Sequence, residues 1–231
     1  MKFSILPVII IAVFAFCIFI TKRAKRTQSI TAKEASSVYA LLFVFGLWTV
    51  IAVIMGIKDL HVTLMDRIPL LWQANVLIII LAIGLFSKTL RDALRNIANA
   101  TPQHWLIFIQ ALRIGALGTV IKFFRGEITS SFPLWVGIPD FLFGLSALLL
   151  GFLVLKQRAN KLFLIIWNLV GAGIILIPLV AAMPYWMNEP GFSFIFEFPM
   201  ILAPSIVVPI LILLNFLMAW NAFDSNRRTF L

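Results

Sequence analysis

PLWVGIPDFLFGLSALLLGFLVL, residues 133–155, carries one charged side chain, Asp140, in an otherwise apolar run. It is too long for a strand and exceeds the roughly 20 residues that cross a bilayer core as a helix. Gly137, Asp140, Gly144, Ala147 and Gly151 recur at alternating steps of three and four, so they share one helical face. Small residues on such a stripe let a second helix approach closely. A carboxylate on the same stripe needs a partner, because a lone charge at membrane depth costs at least about 3 kcal/mol.

The preceding apolar run supplies one. Arg113 lies about eight residues from the end of that run, and Asp140 about seven residues into its own, which returns across a short loop. At about 1.5 Å per residue both sit at similar depth, so an Arg113–Asp140 ion pair is expected. Gln110 is one turn from Arg113, and Asn75 lies at a matching depth in an earlier run. Asn75, Gln110, Arg113 and Asp140 are therefore read as one polar layer and as the candidate ligand-binding residues. Pro139 frees the carbonyl of Trp135, and a guanidinium with five donors could serve both that carbonyl and Asp140. Asn168 and Asn215 suggest an inner polar layer, with interhelical hydrogen bonding as the blander role. Asn215 shares a face with Ser205, Val208, Ile212 and Ala219, which points it into the bundle.

The whole chain agrees with this start. Of 231 residues 62% are hydrophobic and 12% charged, against about 25% charged in a soluble domain. Mean hydropathy is +1.05. Such a chain cannot cover a soluble surface, which excludes a cytosolic enzyme, a nucleic-acid-binding module and a disordered protein. Seven apolar stretches are long enough to span: Phe3–Ile20, Val38–Ile57, Ile68–Ser87, Pro102–Ile121, Pro133–Leu155, Leu162–Met183 and Pro199–Asn221. The expected fold is all-α, a bundle of seven transmembrane helices forming a single transmembrane domain over residues 1–231. Trp105, Trp186 and Trp220 fall near span ends, as an interfacial aromatic belt requires.

Basic residues orient the bundle. Thirteen of the 19 Lys and Arg follow spans 1, 3, 5 and 7, five lie on the opposite side, and Arg113 is within span 4. The positive-inside rule then places the N-terminus outside and the C-terminus in the cytoplasm, and the net charge of +10 reflects cytoplasmic loops. Span 1 reads as an uncleaved anchor, since its basic cluster follows the apolar run. A multi-pass protein of the inner (cytoplasmic) membrane is expected, with the bilayer as its main partner, no nucleic-acid partner, and a homo-oligomer as a possible assembly. Lys88–Ile97 is amphipathic and reads either as a helix along the inner headgroups or as an ordinary basic loop.

Little else carries chemistry. Cys17 is the single cysteine, and His61 and His104 are far apart, so no metal site of the His/Cys kind and no disulfide is expected. The chain has no HExxH, CxxC, GxSxG or glycine-rich phosphate loop. A lone Asp without a partnered acid or base argues against an enzyme, and no cofactor is expected.

Gln110-x-x-Arg113-x-Gly115, Gly137-Ile-Pro-Asp140-x-x-x-Gly144-Leu-x-Ala147, Trp167-Asn168-x-x-Gly171 and the series Pro199, Pro204 and Pro209 together resemble a family of small, uncharacterised bacterial multi-pass membrane proteins. The resemblance covers roughly residues 105–216. It departs from that family at Pro139, where a Gly is usual, and at Asn215, where a His is usual. It implies the membrane fold and no activity. Microbial rhodopsins share the topology, but the last span has no Lys for retinal. Sugar transporters of the SWEET type match in topology alone.

The function read from the sequence is binding or transport of a small solute or anion at Arg113 and Asp140. The alternative is a receptor-like or assembly protein in which the pair is a structural staple. A polar cavity at Arg113 favours the first, and a dry, packed contact the second. The orientation is directly testable. A cysteine placed beside Lys25 should be shielded from an impermeant thiol reagent added outside intact cells, and one beside Glu189 should react. Reversed labelling would overturn the assignment.

Overall fold

The computed structural model describes residues 4–58, 60, 82 and 84–224, and every regular element among them is helical. Six helices among the described residues are long and apolar enough to cross a membrane. They are α1 (Leu6–Arg26), α2 (Ala32–Ile57), α4 (Gln103–Phe124), α5 (Pro133–Leu155), α6 (Lys161–Ala181) and α7 (Ala203–Val207 continued by Val208–Asp224), with a shorter α3 (Lys88–Ala100) between the second and third of them. The third expected span, Ile68–Ser87, lies almost entirely outside the described residues, and Asn75 and His61 lie wholly outside them.

Helix ends follow capping chemistry more than hydropathy. The apolar run of the first span ends at Ile20, yet α1 continues through its basic residues to Arg26. Lys and Arg are good helix formers and interact favourably with the negative end of the helix dipole. Six residues ahead of the expected span, α2 begins in a capping box. The Thr31 hydroxyl accepts from the Glu34 N–H, and the Glu34 carboxylate accepts from the Thr31 N–H.

The chain forms two compact units. The first combines Met1–Thr101 with Ile195–Leu211. Here α3 packs its apolar face, Leu90, Ala93, Leu94, Ile97 and Ala98, against α1 and α2. Of the two readings of Lys88–Ile97 the helix holds and the loop does not; the correction to the helix reading is that its apolar side is buried against protein. Ser87 caps it by accepting from the Leu90 N–H, so it starts anew and does not simply prolong the third span. The Arg23 guanidinium donates to the carbonyl of Ala100 and so ties the end of α1 to the end of α3.

Two prolines are accommodated in the same way. α5 opens with a π-helical stretch, Pro133–Gly137, and Pro139 follows two residues later. α7 opens with a π-helical stretch, Ala203–Val207, followed likewise by Pro209. The Ile138 N–H donates to the carbonyl of Pro133, and the Val208 N–H to that of Ala203. A proline ring clashes with the carbonyl four residues back, and the wider turn relieves that crowding. For Pro209 that carbonyl belongs to Ser205, and it accepts from Nε1 of the buried Trp48 at 3.1 Å.

The second unit combines Pro102–Phe194 with Ile212–Leu231. Its glycine stripe is the seam between α4 and α5. A Cβ on Gly144 would stand 2.6 Å from the Ile114 backbone N and 3.0 Å from the Arg113 carbonyl carbon. Gly137 faces Thr119 and Val120, and Gly151 faces the Phe108 ring.

The segment before α5 is lashed to the segment after α6. Glu189 accepts from the hydroxyls of Ser130 and Ser131, each at 2.7 Å, and from the Ser131 N–H at 2.8 Å. Partial desolvation raises the Glu189 pKa, but the serine hydrogen bonds outweigh it and hold the carboxyl below its ordinary range. Trp186 corrects its expected place in an aromatic belt. It is buried against Phe132 and Phe192, and its indole N–H donates to the Ser131 hydroxyl.

The seam predicts a contrast between two glycines. At Gly144 an added methyl meets backbone, so Gly144→Ala should destabilise by about 1–3 kcal/mol, the usual cost of overpacking. Gly118, also in α4, has nothing within 4 Å of an added Cβ. Gly118→Ala should be neutral or stabilising by up to about 1 kcal/mol. Thermal unfolding of the purified protein in detergent measures both, and equal effects would remove the seam as the cause.

Candidate functional site

Arg113 reaches the interior of the second unit because α4 changes its winding around it. Gln103–Phe108 and Leu117–Phe124 are α-helical, but Ile109–Ala116 between them is 3-10. Runs longer than three or four residues are uncommon in that tighter winding and often mark strain or a functional hinge. At about three residues per turn, Gln110 and Arg113 stack on one line of the helix. Both are buried.

Three groups on two helices hold the guanidinium. Nη1 donates to the carbonyl of Gly171 on α6 at 2.9 Å. Nε stands 3.4 Å from Oδ1 of Asp140 on α5. The Phe143 ring, one turn from Asp140, lies 4.6 Å from Cζ, a cation–π contact. Phe143 stacks in turn on Trp167 of α6, with centroids 4.2 Å apart. The Trp167 N–H donates to the Ser146 hydroxyl at 2.9 Å, and that hydroxyl donates to the Phe143 carbonyl at 2.7 Å. Gly171 makes the stack possible, since a Cβ there would run into the Phe143 ring.

The ion pair is close in distance and poor in alignment. Arg113 Nε, Arg113 Nη2 and Asp140 Oδ1 are buried and form no hydrogen bond among the described residues. The 3.4 Å contact is therefore Coulombic, without the directed N–H···O bond that a well-made arginine–carboxylate pair has. The Arg113 side chain is fully enclosed, whereas that of Asp140 is 14% exposed.

The other candidates divide. Gln110 sits one 3-10 turn from Arg113. Asn168 lies three residues from Gly171 on α6 and is buried, but its Nδ2 donates to Leu164 of its own helix at 2.8 Å, and its Oδ1 is unpartnered among the described residues. Asn215 is buried, and neither of its amide atoms is hydrogen-bonded there. Among the described residues, neither asparagine is thus hydrogen-bonded to another helix. Arg113 serves the carbonyl of Gly171 instead of that of Trp135, which corrects the expected use of its spare donors. Phe143 and the Gly171 carbonyl escaped sequence reading. Phe143 left one faint signal, its place one turn from Asp140. The described residues hold no group of three or more His, Cys, Asp or Glu placed for a metal ion.

Residues 69–222 match the family described as a domain of unknown function (DUF8737), which is well over half of the chain. No curated protein and no solved structure matches the chain.

The pair predicts a pattern of stability. Arg113→Gln and Asp140→Asn each strand one charge in apolar surroundings, a change that typically costs about 3–5 kcal/mol in a buried pair. The double change leaves no charge alone and should recover much of that loss. Unfolding of all four proteins in detergent measures the coupling, and additive losses would mean that the two charges do not act together.

Proposed function

We propose that this chain, which belongs to the DUF8737 family, is a multi-pass membrane protein that binds, and moves across the bilayer, a small polar solute or anion at Arg113 and Asp140. Support for the membrane setting comes from six apolar helices of spanning length in a chain that is 62% hydrophobic. The basic-residue asymmetry supports a seventh span over 68–87, an outside N-terminus and the cytoplasmic membrane.

The observation that carries the solute reading is the unspent donor capacity of Arg113. Two of its nitrogens, and the carboxylate oxygen beside them, are buried without hydrogen bonds among the described residues. Each such group costs about 1–3 kcal/mol, more when charged, which a purely structural staple would avoid by aligning its partners. The 3-10 stretch in α4 and the π-helical turns in α5 and α7 support movement, because helices with irregular winding have alternative hydrogen-bonding patterns within reach. Asp140 keeps 14% of its side-chain surface where Arg113 keeps none, so a solute would meet the pair from the Asp140 side.

One observation favours the second reading, a receptor-like or assembly protein with a structural ion pair. The Arg113 side chain has no exposed surface. The two readings part on ligand response. With the protein in lipid nanodiscs, a panel of small anions and neutral polar solutes is screened by thermal shift against the wild type and the Arg113→Gln/Asp140→Asn double variant. The solute reading expects at least one compound to stabilise the wild type and leave the folded double variant unmoved. A response that survives in the double variant, or no response in either protein, leaves the pair a staple.

A further inference from the structure

We propose that the solute taken at Arg113 is a small carboxylate, bound together with one proton that it shares with Asp140. This rests on the reading of the pair as a binding site and narrows it to one ligand chemistry.

The argument begins with the shape of the guanidinium. Nη1 is committed to the Gly171 carbonyl. The atoms left are Nε and Nη2, whose N–H bonds run parallel along one edge of the planar group. Both are buried, and neither donates a hydrogen bond among the described residues. Two parallel donors on a rigid plane match the two oxygens of one carboxylate, the arrangement in which arginine differs most from lysine. The plane is set in advance. Phe143 lies over the guanidinium, Trp167 backs Phe143, and Ser146 holds the Trp167 indole. A fork that is already oriented loses little freedom when it binds.

Charge then fixes the stoichiometry. Asp140 stands at the Nε end of this fork, with its Oδ1 at 3.4 Å and without a hydrogen bond among the described residues. A ligand carboxylate on the fork would place two negative groups against one guanidinium in apolar surroundings. Two carboxyls in one such site do not both stay ionised. One proton taken up with the anion restores neutrality and supplies an O–H···O hydrogen bond between the two carboxyls, so Oδ1 gains a partner. No covalent bond forms or breaks: one anion and one proton enter, and the charges sum to zero.

Among the described residues few other charges bear on Asp140. Among the described residues that α4 and α6 contribute nearby, only Arg113 is charged; Gln110, Asn168 and the Gly171 carbonyl are neutral. His104 and Lys122 on α4 each lie nine residues from Arg113, and Lys161 lies ten from Gly171. At about 1.5–2 Å per residue these are well over 10 Å away along their helices.

Acetate serves as the probe, with sulfate as a tetrahedral anion and acetamide as a neutral isostere. Binding to the full chain in nanodiscs is followed by thermal shift and calorimetry over a pH series. Acetate should saturate, and its affinity should fall about tenfold per pH unit once the shared proton is no longer held. Sulfate and acetamide should not compete. Asp140→Asn should keep acetate binding and lose its pH dependence. Arg113→Lys, which keeps the charge and removes the fork, should weaken acetate at least about tenfold, and its unfolding curve checks that it is folded. If sulfate or acetamide binds and acetate does not, the carboxylate inference fails while solute binding at the pair stands. Acetate binding that ignores pH in the wild type overturns the shared proton. If no probe binds and the double variant recovers stability, this inference and the solute reading fall together.

Discussion

The close approach of α4 and α5 is the constraint on which the second unit depends. With a single hydrogen at Gly144, the backbone of α5 lies against Arg113 and Ile114, nearer than any side chain would permit. Gly137 and Gly151 repeat the contact two turns to either side, so the two helices stay in register over most of their length. This proximity brings an arginine on one helix to a carboxylate on the other. The Arg113 side chain is enclosed, while Asp140 keeps some surface. Attraction between the charges follows from the packing of the backbones. The pair's poor alignment shows that packing, not the ion pair, sets the geometry.

Backbone hydrogen bonding shapes the irregular stretches. Where water is excluded, a carbonyl deprived of its helical donor must find another. The chain answers Pro209 with a π-helical turn and with the Trp48 indole, which donates to the freed Ser205 carbonyl. It answers Pro139 with the same kind of turn. These stretches stand at the start of α5 and α7, and the 3-10 stretch occupies the middle of α4. The residues of greatest chemical interest, Arg113 and Asp140, therefore lie within or beside non-standard winding.

The charged groups fall into two regimes. Glu189 is fully served, by two hydroxyls and an N–H, and acts as a clasp between two loops of the second unit. Arg113 and Asp140 sit in apolar surroundings with donors and an acceptor unspent among the described residues. A group that is fully hydrogen-bonded has no capacity left for a ligand, whereas one held in place by stacking and a single carbonyl does. That difference, more than burial alone, is why the proposed solute site is centred on Arg113.

Much of this protein is legible in its sequence. Length and apolarity predict the six long helices that the structure describes, because hydrophobic length is a one-dimensional property. The three-and-four spacing of Gly137, Asp140, Gly144, Ala147 and Gly151 exposes the seam, since helical periodicity maps position onto a face. Equal depth from the ends of adjacent spans suffices to pair Arg113 with Asp140. Other features depend on what the folded chain brings near. Whether Lys88–Ala100 meets lipid or protein, whether Trp186 lies at an interface or in a core, and which carbonyl Arg113 serves were all decided by tertiary contacts. Hydropathy records that a side chain avoids water and does not record what it avoids water with. A donor in a low-dielectric interior takes the acceptor that packing places in reach, and that choice exists only in three dimensions.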